Sequence, residues 1–158
     1  MGQDIHMVIE AKFGDKWVAI CDPDKLPATR KRTYAICSDR WYSLWYYMCG
    51  AGRWPAAMRS ESHGLALFDP RGLPPDISEL SQIKFSKEGM GDEYHTHSWL
   101  TLNEFVTCYQ VAYENATKED PVAYPPRNND FTPYDIIGDL FGYRYYASEI
   151  RFVFAFDN

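Results

Sequence analysis

Ile150-Arg151-Phe152-Val153-Phe154-Ala155-Phe156-Asp157 decides the fold. Ile150, Phe152, Phe154 and Phe156 fall on one side of a strand, and Arg151, Val153, Ala155 and Asp157 fall on the other. Three phenylalanines on one side need covering by other elements, so the segment is expected at or near the centre of a sheet. Residues 4–12 read as a second strand, where Ile5, Met7 and Ile9 alternate with Asp4, His6, Val8 and Glu10. Phe13-Gly14-Asp15-Lys16 has turn chemistry and Trp17-Val18-Ala19-Ile20 resumes a strand, so residues 4–21 read as a hairpin. Pro23 and Pro27 then end the pairing, because proline offers no donor to a ladder.

About three helices are expected around these strands, besides an optional short one after Ser78. Ser38 or Asp39 can cap one over residues 40–49, with Trp41, Leu44, Trp45 and Met48 on a buried stripe and Gly50 as its stop. Tyr42, Tyr46 and Tyr47 fall off that stripe. Residues 50–78 hold glycines and prolines at the density of an irregular loop, with a short helix after Ser78. Thr101-Leu102-Asn103-Glu104 is a capping box, starting a helix to about residue 115 that buries Leu102, Phe105, Tyr109 and Ala112. Thr132-Pro133 opens a last short helix with Ile136, Ile137, Leu140 and Phe141 inside. The fold class is therefore α+β: one domain over residues 1–158, a small antiparallel or mixed sheet packed with about three helices and long Gly/Pro-rich loops.

The 158 residues suit one domain, and 46% hydrophobic and 16% aromatic residues suit a packed core rather than a disordered chain. A net charge of −6 opposes non-specific binding to nucleic acid, which needs lysine and arginine to release counterions. A pocket with two or three local cations is still compatible with that charge. No apolar run reaches the roughly 20 residues of a membrane span, and no signal peptide is seen, so a cytoplasmic protein is expected. Cys21, Cys37, Cys49 and Cys108 contain no CxxC pair and read as free thiols. GxSxG, Walker and Rossmann patterns are absent, which removes the common hydrolase, NTPase and dinucleotide readings.

Chemistry is expected from two short patterns. Asp4-Ile5-His6 places a carboxylate and an imidazole on one face of a strand, about 6.5–7 Å apart by the strand rise. His95-Thr96-His97 repeats the spacing just before the capping box, near the positive end of a helix dipole. Brought together, Asp4, His6, His95 and His97 would make a ligand set for Zn, Mn or Fe, and an open position on that metal would activate water. The same groups also suit a metal-free pocket, or simple structural hydrogen bonding. Tyr42 and Tyr46 are candidates for stacking on a base or for an interface. Arg71 in Arg71-Gly72-Leu73-Pro74, and Arg127 in Pro126-Arg127-Asn128-Asn129, are candidates for phosphate recognition, with capping a carbonyl or pairing to a nearby acid as the alternative.

Met1-Gly2-Gln3-Asp4-Ile5-His6 resembles the opening of a family of phage and bacterial proteins that begin Gly-Cys-Asp-Ile-His and run into a hairpin. The start of the residue 39–45 helix is similar too. So are Arg71-Gly72-Leu73-Pro74-Pro75-Asp76-Ile77-Ser78, His97-Ser98-Trp99-Leu100-Thr101-Leu102 and the terminal Arg151 to Asn158 stretch. Gln3 stands where the family usually has cysteine, which removes a thiol from the candidate site. The resemblance implies a phage setting and a counter-defence role, without a reaction. Three functions follow as expectations. The first is sequestration of a small nucleotide-like immune signal by His6, His95, His97, Tyr42, Tyr46, Arg71 and Arg127. The second is a metal-dependent phosphoesterase acting on a cyclic or ADP-ribose-like nucleotide through Asp4, His6, His95 and His97. The third is a protein–protein inhibitor of a host enzyme, docking through exposed tyrosines. Assembly into a homo-oligomer is compatible with each.

Overall fold

The computed structural model describes residues 4–28, 34, 41–50, 66–86, 94–116, 138–140, 142–143 and 146–157. It shows an α+β arrangement built on a four-stranded antiparallel sheet in the order β2-β1-β4-β3. The strands are β1 (Asp4–Phe13), β2 (Lys16–Cys21), β3 (His95–Thr101) and β4 (Glu149–Asp157). The helices are α1 (Tyr42–Cys49), α2 (Glu79–Phe85) and α3 (Leu102–Ala116). No described helix is long and apolar enough to cross a membrane.

The phenylalanine strand is central, as its pattern requires: β4 pairs with β1 from Asp4↔Asp157 to Lys12↔Glu149, and with β3 on its other side. β1 and β2 form the expected hairpin. Gly14 takes φ 65 at the first position of its two-residue turn, a place that favours glycine because the primed turns matching strand twist need positive φ there. On one face Ile5, Met7 and Ile9 join Phe152, Phe154 and Phe156 beneath Trp41 and the residues of α1 and α3. Phe105 of α3 stacks on Phe152 with centroids 4.1 Å apart. Full burial of each such side chain contributes about 1.5–3 kcal/mol.

The opposite face is covered as well, by α2, whose Phe85 packs with Val8, Val153 and Ala155. Ser78 caps α2, accepting from Ser81 N at 3.3 Å. The capping box of α3 forms as its sequence predicts: Thr101 N donates to Glu104 Oε2 at 2.9 Å, and Glu104 N donates to Thr101 Oγ1 at 3.3 Å. Leu102, Phe105, Tyr109 and Ala112 are buried as expected.

Helix α1 corrects the stripe. Its cap position is Trp41, which makes no side-chain cap hydrogen bond, and Tyr47 is buried beside Leu44, Trp45 and Met48. The reason is that α1 packs on α3 as well as on the sheet core, so more than one stripe is covered. Tyr42 and Tyr46 are half-buried against the same core, and Tyr42 meets Trp45 edge-on at 5.0 Å. Gly50 ends the helix at φ 71, its N–H donating to Tyr46 O. Of the last expected helix, residues 138–140 are helical and Leu140 is buried; Thr132, Pro133, Ile136, Ile137 and Phe141 lie outside the described residues, as do Ser38, Asp39 and Cys37.

Candidate functional site

His6 stands on the α2 side of the sheet with both ring nitrogens engaged. Nδ1 lies 2.9 Å from Asp24 Oδ2 and Nε2 lies 3.1 Å from Asp157 Oδ2. Two carboxylate acceptors at opposite nitrogens require two N–H donors, which only the imidazolium has. The Asp24 hydrogen bond accordingly raises the His6 pKa, against the opposing effect of burial, with Asp157 adding to the rise. Lys84 of α2 binds Asp22 at 2.6 Å and Asp24 at 2.8 Å. Burial works against the charge on Asp24, but the bonds from His6 and Lys84 outweigh it and hold its carboxyl at about 2. Asp4 joins through its backbone, whose N–H donates to Asp157 Oδ1 at 3.1 Å.

The histidine pair in β3 does not add to this cluster. Thr96 has φ 54 and the pairing with β4 shifts between His95 and Ser98, a bulge that breaks the two-residue alternation. His95 consequently stacks toward Phe156 of the phenylalanine face, at 6.3 Å, while His97 meets Phe85 of the α2 face edge-on at 6.1 Å. Burial, with His95 adding, lowers the His97 pKa, and its buried Nε2 has no hydrogen-bond partner among the described residues. The carboxylates thus favour the charged form of His6, while burial favours the neutral form of His97. The expected metal set of Asp4, His6, His95 and His97 is not gathered: among the described residues no three His, Cys, Asp or Glu side chains are grouped to hold a metal ion.

Arg71 is also committed. Its Nη1 and Nη2 donate to Glu104 at 2.8 and 2.7 Å, and its guanidinium lies 4.9 Å from the Trp99 ring centroid. It is the acid-pairing alternative that forms, and the Glu104 bonds raise the Arg71 pKa. Arg127 lies outside the described residues.

The groove that does form was missed by sequence reasoning, except at one edge. A cavity of about 560 Å³ opens between β1, β2, β4 and the start of α3, lined by Lys12, Trp17, Trp99, Asn103, Glu149 and Arg151 among others. Its volume is ordinary for a small-molecule site, about 300–1,000 Å³. Arg151, only 3% exposed, contributes to its lining: Nε donates to Glu10 at 2.6 Å, Nη1 to the Asp76 carboxylate at 2.7 Å and Nη2 to the Asp76 carbonyl at 3.0 Å. Its guanidinium lies 3.8 Å from the Trp17 centroid, and the Trp17 indole N–H donates to Asp76 at 2.9 Å. The Arg151 bond lowers the Asp76 pKa.

Thr101, Leu102 and Asn103 bring the first turn of α3 to the groove, with the partial positive charge of a helix amino end. The capping box announces that feature in the sequence. Its companions at the site are Lys12, Trp17 and Trp99, where the histidines had been expected. Val8, Val153 and Ala155 were the signal for the rest: apolar residues in the same i, i+2 rows as Glu10 and Arg151 mark a second covered face, on which a glutamate and an arginine must pair. No family model, curated protein or solved structure matches the chain.

Proposed function

We propose that this protein is a phage-type accessory protein that binds a small nucleotide-like signal in the Trp17–Trp99 groove and sequesters it. The observation that carries this reading is the groove itself: indole and proline walls, the Lys12 ammonium at one side and the amino-terminal turn of α3 at another. Flat apolar walls suit a base, while an ammonium and a helix amino end suit one oxyanion. Among the described residues Lys12 meets Glu149 at 3.4 Å and lies 5.7 Å from the Trp17 ring centroid, contacts loose enough for it to turn to a ligand at little cost. Holding is favoured over turnover because His6 has both nitrogens tied to carboxylates outside the groove. The counter-defence setting rests on the resemblance of the opening residues.

The test is retention. Purified protein is incubated with cyclic and ADP-ribose-like nucleotides, desalted and heat-denatured, and the released small molecule is identified by mass spectrometry. Intact ligand is the expected result, lost in Lys12→Glu with an unchanged circular dichroism spectrum. Conversion to product overturns sequestration in favour of the phosphoesterase. Retention unaffected by Lys12→Glu removes the groove from the reading.

A further inference from the structure

The groove carries more than an outline of its ligand, because its charges and acceptors are unevenly spread. We infer that it selects a guanine-type nucleoside monophosphate, open or cyclised, over adenine nucleotides and over polyphosphates; this rests on the groove reading above.

Charge limits the phosphate. Lys12 and Arg151 face Glu10, Asp76 and Glu149, and three N–H groups of Arg151 are already given to Glu10 and Asp76. The guanidinium keeps two further N–H groups of its five, so it supplies direction without a spare full charge. One phosphoryl group can be met by Lys12, these N–H groups and the helix amino end. Each further phosphate adds charge beside Asp76 and Glu149, and the described lining residues hold no further cation to neutralise it.

Acceptors choose the base. Both Asp76 carboxylate oxygens are engaged, by Arg151 and Trp17. Glu149 is different: its side chain is 56% exposed, and among the described residues it accepts only from Lys12, through Oε2 at 3.4 Å. A carboxylate accepts and does not donate. Guanine offers it two adjacent donors, the ring N–H and the exocyclic amine. Adenine sets its amine beside a ring nitrogen acceptor, which a carboxylate repels.

Isothermal titration with GMP, AMP, GTP and guanosine tests this. GMP should bind tightest, with AMP and GTP each about tenfold weaker or more. Glu149→Gln should bring GMP down toward AMP, and Lys12→Ala should bring GMP down toward guanosine. AMP equal to GMP, or GTP tighter than GMP, overturns the inference while nucleotide binding in the groove stands. Binding by none of the four overturns the inference too, and the retention experiment with cyclic and ADP-ribose-like nucleotides then decides separately on the groove.

Discussion

Two charged centres share one face of the sheet and are built on opposite principles. His6 and Glu10 lie four residues apart on β1, about 13 Å by the strand rise. At the His6 end, side chains from four elements meet with partial exposure, and the central cation exists only while a proton is bound. At the Glu10 end, Arg151 is permanently charged, 3% exposed, and paired with a glutamate that is fully buried. The first centre can be switched by pH. The second can only be kept or destroyed.

The largest expected effect therefore belongs to Arg151. Arg151→Met leaves Glu10 buried without its cation and should cost about 3–5 kcal/mol in urea denaturation. Glu10→Leu added to it should recover most of that loss, because removing both charges also removes the desolvation penalty. An Arg151→Met protein within about 1 kcal/mol of wild type would show that the pair is hydrated, and would end the contrast between the centres.

The His6 centre comes second. Its folded pKa lies above the ordinary 6.5, so in the interval between those values the native state holds a proton that the unfolded chain has released. The stabilisation is complete below 6.5 and is lost as pH rises through the folded value. Asp24 behaves in reverse: its carboxyl is held at about 2 against an ordinary 3.8, so its contribution is present above 3.8 and fades as pH falls toward 2. Unfolding free energy should peak between these limits. His6→Gln should lose about 1–2 kcal/mol at pH 5 and flatten the decline above neutrality. If His6→Gln retains the wild-type slope between pH 6 and 8, another group owns that dependence.

The same contrast explains what the sequence made legible. Period-two alternation identified β4 and β1, turn chemistry identified the hairpin, and Thr101-Leu102-Asn103-Glu104 identified the start of α3, because each is a local signal. The histidine pair misled because a bulge is not written in residue spacing: Thr96 at φ 54 sends His95 and His97 to different faces. Asp24, Lys84 and Asp157 were invisible as partners of His6, since they come from a turn, a helix and a strand distant in the chain. The groove is likewise a product of register. Lys12↔Trp17 and Lys12↔Glu149 are cross-strand neighbours, so Lys12, Trp17 and Glu149 meet only once β2, β1 and β4 are aligned.

The smallest expected effect tests whether exposure ranks these centres. Arg71 and Glu104 form a two-bond pair with side chains 29% and 25% exposed, more open than Arg151 and Glu10. Glu104 also closes the α3 capping box, so its two roles need separating. Glu104→Gln keeps an acceptor for Thr101 N and removes the charge; Glu104→Ala removes both. Glu104→Gln should cost about 0.5 kcal/mol and Glu104→Ala about 1 kcal/mol. A double-mutant cycle of Glu104→Gln with Arg71→Lys should give a coupling below about 1 kcal/mol. Water reaches this pair and screens it, whereas the Glu10 carboxylate has lost its hydration and depends on Arg151. A coupling as large as the Arg151 loss would mean that stacking on Trp99, rather than burial, sets the strength of a guanidinium contact on this face.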